Sequence, residues 1–247
     1  MTLAIDIGNT NIVLGIFIKN KLTATYRINS NKVEISKIDF LEKYNFKNII
    51  ISSVVPNLTN DMKQFCKKKF NLKNFIIKHN NVPNLQLDIN NPAQLGTDRI
   101  CNTVATISLY SLPAIVIDMG TATKYDIINS NGIFIGGIIS PGIKISATIL
   151  FEKAALLDKT KFEFPKQVIG KNTQSNIQSG IMYGAIDSVN GMIKRIINET
   201  KWKNYSIIIT GGLSELLKSK LNQKYIFNPN LTLEGLNFIN QKISKKY

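Results

Sequence analysis

The stretch LAIDIGNTNIVLGIF, residues 3 to 17, places an aspartate, a glycine and small polar residues between two apolar runs. The β-branched residues of these runs predict a hairpin of two strands with GNTN at its turn. A turn of glycine and small polar residues exposes several backbone N–H groups, which suits it to bind phosphate. The Asp6 carboxylate would repel phosphate unless a divalent cation lay between them. The stretch therefore indicates a nucleotide site with Mg²⁺ held near Asp6.

A similar stretch, VIDMGTATKYDIIN, occupies residues 116 to 129. In both, an apolar strand is followed by aspartate, any residue, glycine and small polar residues, and then by a second strand. A single turn of this kind is structural more often than not, because Asp and Gly are common in all β-turns. Its occurrence at both Asp6 and Asp118 favours phosphate binding and an internal duplication. We therefore expect two domains, residues 1–112 and 113–247.

Strands and helices alternate along the chain, which predicts an α/β fold. The predicted strands are residues 3–7, 12–18, 22–28, 48–57, 74–79, 114–118, 122–128, 133–139 and 205–210. The predicted helices are residues 58–70, 143–157, 173–199, 214–221 and 231–243, with a further helix after GTDR at residues 96–99.

Composition excludes several classes of protein. The 247 residues are 44% hydrophobic and 19% charged, as in ordinary globular proteins. No apolar run reaches the roughly 18 residues of a membrane span, and residue 6 is acidic where a signal peptide would be apolar. Cys66, Cys101 and His79 are too few for a zinc site or a disulfide framework, so we expect a cytoplasmic protein. The net charge of +15 comes from scattered lysines, and we expect no nucleic-acid or membrane partner.

The stretch NNPAQLGTDRICN, residues 90 to 102, places GTDR where a loop is predicted to enter a helix. Asp98 could accept a proton from a substrate hydroxyl while Arg99 binds a carboxylate or the transferred phosphoryl group. Alternatively, Asp98 caps a helix that starts at Arg99. The residues alone leave both interpretations open.

Five motifs occur in order along nearly the whole chain: DIGNTN, GTDR, DMGTAT, GGIISPG and GKNT...IQSG. This ordered set resembles that of type III pantothenate kinases, which belong to the superfamily of acetate kinase, sugar kinases, Hsp70 and actin. The resemblance implies two ribonuclease-H-like domains with the active site in the cleft between them, and a homodimer. It also implies phosphorylation of pantothenate by ATP to 4'-phosphopantothenate, the first step of coenzyme A biosynthesis, with Mg²⁺ and with K⁺ or NH₄⁺.

The resemblance also assigns roles to individual residues. Asp98 would be the proton acceptor, Asp118 would bind the monovalent cation, and Asp6 would bind Mg²⁺ through the phosphates. The implied ATP-binding residues are Asp6, Ile7, Gly8, Asn9, Thr10, Asn11, Ile12, Val13 and Thr121. The implied pantothenate-binding residues are Gly96, Thr97, Asp98, Arg99, Thr173 and, at a position that is often aromatic in the family, Ile89.

Two departures from the family pattern carry expectations of their own. Lys124 stands where a small hydroxyl residue is usual, and its charge near Asp118 predicts a reduced dependence on K⁺. Ile89 in place of an aromatic residue predicts weaker affinity for pantothenate.

The glycines of TGG, residues 210–212, could approach the adenine or ribose, or could form a plain strand-to-helix turn.

Two alternative functions remain open from the sequence. One is a non-catalytic regulatory or nucleic-acid-binding protein with the same fold. Such a protein would have little need for the four charged residues Asp6, Asp98, Arg99 and Asp118. The other is a kinase of the same superfamily that acts on another small hydroxy acid.

Overall fold

Two mixed β-sheets, each covered by helices, confirm the predicted α/β class. The computed structural model describes residues 1–30, 35–153, 161–222 and 224–244. Its strands are β1 (Thr2–Ile7), β2 (Asn11–Ile18), β3 (Lys21–Asn29), β4 (Asn48–Ser53), β5 (Asn74–Ile76), β6 (Gln86–Leu87), β7 (Ala114–Met119), β8 (Ala122–Ile128), β9 (Ile133–Pro141), β10 (Ser206–Thr210) and β11 (Ile226–Phe227). Its α-helices are α1 (Pro56–Phe70), α2 (Thr97–Leu109), α3 (Ile143–Lys153), α4 (Thr173–Thr200), α5 (Ser214–Leu217) and α6 (Leu231–Ser244).

The chain divides into two units. Unit 1 contains Met1–Tyr110, Gly132–Ile135 and Asn230–Tyr247, and unit 2 contains Ser111–Asn131 and Gly136–Pro229. Residues 230–244 thus cluster with unit 1, whereas the sequence placed them with residues 113–229. Their helix α6 packs on α2, and Gly235 makes this possible, because a Cβ there would lie 2.0 Å from the carbonyl oxygen of Cys101.

The sheet of unit 1 has the strand order β3-β2-β1-β4-β5, in which β1 is antiparallel to β2 and parallel to β4. Side chains alternate between its two faces. Leu3, Ile5 and Ile7 pack in the same core cluster as residues of α1. Ala4 packs instead with residues of α2 and α6. This alternation directs Asp6, two residues after Ala4, towards the face of the sheet that carries α2.

In unit 2 the strand order is β11-β10-β7-β8-β9. Strand β7 is buried along its whole length and is antiparallel to β8 and parallel to β10. The long helix α4 turns Ile186, Val189, Ile193 and Ile196 inwards at helical spacing. The first residues of β9 belong to unit 1, where they pair with β6.

The two sheets share one local arrangement, as the repeat in the sequence predicts. In each, a hairpin (β1–β2 or β7–β8) has a parallel strand (β4 or β10) beside its first member. Asp6 is in register with Ser52, and Asp118 is in register with Thr210. Both aspartates are the last residue but one of their strand.

Most predicted elements agree with the structure to within a few residues. The strand predicted over residues 48–57 is shorter, because β4 ends at Ser53 and Pro56 begins α1. Proline is favoured at the first position of a helix, where no N–H is required. Residues 154–157 of the helix predicted over 143–157 lie outside the described part of the chain. Within that part, no helix is long and apolar enough to cross a membrane.

Candidate functional site

The turn between β1 and β2 is held by hydrogen bonds that leave its tip exposed. The Gly8 N–H donates to the Asn11 carbonyl oxygen at 2.9 Å, which closes the turn. From the end of β3, the Ser30 hydroxyl donates to the Gly8 carbonyl at 2.6 Å, and the Ser30 N–H donates to the Thr10 carbonyl at 2.9 Å. Asn9 and Thr10 are exposed. The predicted phosphate loop is therefore a fixed turn, and Ser30, which the sequence did not reveal, fastens it.

Some of the residues assigned to the first ATP loop are inaccessible. Ile7 and Ile12 have no exposed surface, because their side chains lie in the core of unit 1. Any contact of these two residues with a nucleotide would use the backbone. The assignment of residues 6–13 to ATP binding stays a prediction.

A chain of hydroxyl groups links Asp6 to the start of α2. The Ser52 hydroxyl donates to Asp6 Oδ1 at 2.9 Å and lies 3.1 Å from Thr97 Oγ1. Thr97 Oγ1 donates to the Ser53 carbonyl and accepts a hydrogen bond from the Ser53 N–H, both at 2.9 Å. Ser52 is fully buried. Unit 1 thus connects the Asp6 turn to the GTDR segment within the described structure.

Asp98 lies in the first turn of α2, but it is not the capping residue. The helix begins at Thr97 with Gly96 as the N-cap residue, so the expectation that Asp98 caps a helix starting at Arg99 is wrong. The Asp98 carboxylate instead accepts a hydrogen bond from the Arg99 N–H at 2.9 Å. A Cβ on Gly96 would lie 2.5 Å from Asp98 Oδ1, so glycine leaves the space that this carboxylate occupies. The N-terminal end of a helix also favours a negative charge.

The aromatic ring of Phe134 supports Arg99. The guanidinium carbon lies 5.2 Å from the ring centroid, within the range of a cation–π contact. Ile89 packs against the core cluster that contains Phe134 and Ile100. Ile89 is therefore partly buried in unit 1, and its effect on pantothenate affinity stays a prediction.

Cys101 lies on α2 beneath these carboxylates. Burial raises the pKa of its thiol well above the usual value, the negative charges of Asp6 and Asp98 raise it further, and a hydrogen bond with Ser52 lowers it. The thiolate is the nucleophilic form of cysteine, and both the burial of Cys101 and its raised pKa disfavour that form.

The second turn, in unit 2, has different electrostatics. Lys124 Nζ lies 2.8 Å from Asp118 Oδ2, and the two side chains are 17% and 13% exposed. The residues face each other in register across β7 and β8. Gly211 follows β10 with φ of 96°, and a Cβ there would lie 2.5 Å from Asp118 Oδ1. Asp118 is therefore enclosed by an ammonium group on one side and bare backbone on the other.

Thr121 and Thr173 both lie at exposed positions of unit 2. Thr121 is in the turn between β7 and β8, and Gly142 fits closely against its carbonyl oxygen. Thr173 is the first residue of α4, whose N-terminus is closed by a capping box of Asn172 and Ser175. The roles of both threonines stay predictions.

Among the described residues, no group of three or more His, Cys, Asp or Glu side chains could hold a metal ion by itself. Mg²⁺ does not require such a group, because it commonly binds one or two carboxylates together with the phosphates of a nucleotide. The single Asp6 carboxylate beside a turn of exposed polar residues fits that donor set.

Comparisons with known proteins agree on one family. The family model described as type III pantothenate kinase matches residues 2–195. A type III pantothenate kinase of Agathobacter rectalis is 35% identical over 100% of this chain and 99% of its own length. One from Bacillus cytotoxicus is 38% identical over 96% of this chain and 94% of its own.

Solved structures show the same fold at low sequence identity. A Campylobacter jejuni protein described as a Baf family transcriptional activator has a TM-score of 0.62 at 23% identity, covering 98% of this chain and 99% of that one. The activator of 2-hydroxyisocaproyl-CoA dehydratase from Clostridium difficile, solved with ADPNP, has a TM-score of 0.53 at 11% identity, covering 99% and 97%. Identities this low support the fold alone.

Proposed function

The chain belongs to the type III pantothenate kinase family, and we infer from this that it transfers the γ-phosphoryl group of ATP to pantothenate. The reaction yields 4'-phosphopantothenate and opens coenzyme A biosynthesis. The single observation that carries the inference is the family match over residues 2–195, together with relatives that span nearly the full chain. The geometry of unit 1 agrees with this function, because it joins the Asp6 turn to the segment containing Asp98.

For ATP, we propose that the exposed turn at residues 8–11 binds the terminal phosphates through its backbone and polar side chains. Asp6 would hold Mg²⁺ together with these phosphates. When bound, the ion neutralises phosphate charge. Positioning and electrostatic stabilisation account for most of the acceleration in phosphoryl transfer.

For the acceptor, Asp98 takes the proton from the primary hydroxyl of pantothenate. The hydroxyl oxygen forms the new bond to the γ-phosphorus, and the bond to the β-phosphate oxygen breaks to release ADP. Arg99, held over Phe134 at 5.2 Å, offsets the negative charge of the substrate or of the transferred group. The cation–π contact restricts the guanidinium, which reduces the entropy lost on binding.

For the monovalent cation, the structure supports the reduced K⁺ dependence expected from Lys124. Asp118 is the residue expected to bind K⁺ or NH₄⁺, and Lys124 Nζ lies 2.8 Å from one of its oxygens. An ammonium group at this distance supplies the positive charge that a bound K⁺ would supply. We propose that the chain keeps most of its activity without added K⁺ or NH₄⁺.

A homodimer is part of the same proposal. The helix α3 leaves Ile145, Ile149 and Leu150 38%, 52% and 42% exposed, and Val168 and Ile169 are 61% and 75% exposed. A contiguous patch of exposed apolar side chains is typical of an interface, and we propose that the exposed residues of α3 form part of one. Thr173 would contact pantothenate in the site that the dimer completes. Cys66 and Cys101 are buried and form no disulfide, which fits the proposed cytoplasmic location.

The decisive experiment measures ADP release with ATP, Mg²⁺ and K⁺, with and without pantothenate, and identifies the product by mass spectrometry. We expect turnover that depends on pantothenate, and we expect Asp98→Asn to lower kcat by about 10² or more while ATP binding is kept. Asp61→Asn is the matched control, because it makes the same change at an exposed position of α1.

A near-normal kcat for Asp98→Asn would exclude its role as the base. If no hydroxy acid supports turnover in the wild type, the kinase function itself is wrong. DNA binding with a steep salt dependence would then favour the non-catalytic alternative.

A further inference from the structure

We infer that Ser52 and Thr97 are positioning residues, whose hydroxyl groups hold the Asp6 carboxylate in place and tie it to the first turn of α2. The inference rests on the proposed function of Asp6 and deepens it. It assigns a role to Ser52, which no motif identified, and a different role to Thr97, which the family resemblance places against pantothenate.

The direction of each hydrogen bond follows from the number of protons available. An ionised carboxylate can only accept, so the single hydroxyl proton of Ser52 points to Asp6 Oδ1. In the 3.1 Å contact between Ser52 and Thr97, the donor must then be Thr97. The Thr97 hydroxyl then donates a bifurcated hydrogen bond, shared between Ser52 Oγ and the Ser53 carbonyl oxygen. Thr97 Oγ1 also accepts a hydrogen bond from the Ser53 N–H at 2.9 Å.

The result is a polarised series of donors that starts at the Ser53 N–H and ends on Asp6. Hydrogen bonds in such a series strengthen one another, above all where water is excluded, and Ser52 is fully buried. The series fixes one oxygen of Asp6 and so orients the whole carboxylate, as partners of metal-binding carboxylates commonly do.

The same contacts determine where Asp98 can lie. Thr97 is bonded to both backbone groups of Ser53, so the first residue of α2 is fastened to the end of β4. Asp98 is the next residue along the chain. A single network therefore sets the position of the residue proposed to hold Mg²⁺ and of the helix turn that carries the proposed base.

The test uses the full chain with three substitutions and one control. Ser52→Ala removes the donor to Asp6, Thr97→Val removes the second hydroxyl while keeping the shape of the side chain, and Thr97→Ser keeps the hydroxyl. Thr106→Val is the control, because Thr106 is also buried on α2, and its hydroxyl donates to the Asn102 carbonyl at 2.8 Å. The readouts are calorimetric ADP affinity with and without Mg²⁺, kcat, and Tm without ligand.

We expect Ser52→Ala and Thr97→Val to weaken Mg²⁺-dependent ADP binding by about 10-fold or more, as loss of a group that orients a metal ligand commonly does. ADP affinity without Mg²⁺ should change little. Thr97→Ser should restore most of the loss, and Thr106→Val should lower Tm without affecting Mg²⁺-dependent binding.

If Ser52→Ala and Thr97→Val lower Tm like the control and leave the Mg²⁺-dependent affinity and kcat unchanged, the hydroxyls are merely structural and the inference is overturned. That result is distinct from failure of the proposed function, in which the wild type itself would show no turnover that depends on pantothenate.

Discussion

Replacement of Lys124 by threonine tests whether this side chain supplies the charge of a monovalent cation. The ion pair with Asp118 has a separation of 2.8 Å. With an effective dielectric constant near 20, Coulomb's law gives an attraction of about 6 kcal/mol at this separation. Removal of two ions from water costs several kcal/mol each, so the net contribution of the intact pair is far smaller.

The substitution removes the attraction but leaves the carboxylate of Asp118 poorly hydrated. Breaking a fully buried pair costs about 3–5 kcal/mol. Here the side chains of Lys124 and Asp118 are 17% and 13% exposed, so solvent screens part of the charge. We therefore expect a loss of about 2–3 kcal/mol in the free energy of unfolding. For a chain of this size, the corresponding fall in Tm is about 4–12 °C.

Potassium should reverse part of this loss in the variant. A cation that binds only the folded state stabilises it by about 1.4 kcal/mol when its concentration is ten times its Kd. We expect the Tm and kcat of Lys124→Thr to rise when choline chloride is replaced by KCl, and those of the wild type to change little. The assay is thermal unfolding and ADP release in both salts, with Lys203→Thr, at an exposed position of unit 2, as the control for net charge.

Two results would refute the reasoning. If the wild type loses all activity without K⁺ and NH₄⁺, Lys124 does not substitute for the cation. If Lys124→Thr responds to KCl no more than Lys203→Thr does, Asp118 is not the position at which a cation acts.

Three further predictions concern space and burial. Gly96→Ala should lower kcat by about 10-fold or more while nucleotide affinity is kept. The new Cβ would lie 2.5 Å from Asp98 Oδ1 and would displace that carboxylate. An unchanged kcat would contradict this prediction. Gly211→Ala should lower the free energy of unfolding by more than about 2 kcal/mol, because φ is 96° and the new Cβ would lie 2.6 Å from the Met119 backbone. Denaturant titration measures this loss, and an unchanged free energy of unfolding would contradict the prediction. Burial raises the pKa of the Cys66 thiol to about 12, whereas the unfolded thiol ionises at about pH 8.5. The stability that the buried thiol contributes is therefore present below about pH 8.5 and is lost as the pH rises towards 12. Over this range, the free energy of unfolding should fall more steeply for the wild type than for Cys66→Ser, as denaturant titration would measure.

The features that the sequence predicted well depend on residues close together in the chain. The two hairpins follow from apolar runs on either side of a short polar turn, and the start of α2 follows from a loop motif before an apolar helix. The Asp118–Lys124 pair could be anticipated in the same way, because a tight hairpin brings the residues on its two strands into register.

Features that depend on residues far apart in the chain could not be predicted. Ser52 reads as part of an apolar strand, and only the parallel register of β1 and β4 places it opposite Asp6. The packing of α6 on α2 depends on the absence of a side chain at Gly235. A sequence pattern defines which face of an element is apolar, but not which other element covers that face.

The register also explains why two turns of similar sequence should have different roles. In unit 1, the neighbour of Asp6 on β4 is a hydroxyl, which orients the carboxylate without cancelling its charge. In unit 2, the partner of Asp118 across the hairpin is an ammonium group, which neutralises it. A divalent cation is attracted by the charge of its ligand, so we expect Mg²⁺ to bind at the first turn rather than at the second. The two turns thus share one backbone arrangement, and we propose that the different side chains beside Asp6 and Asp118 give them different ion preferences.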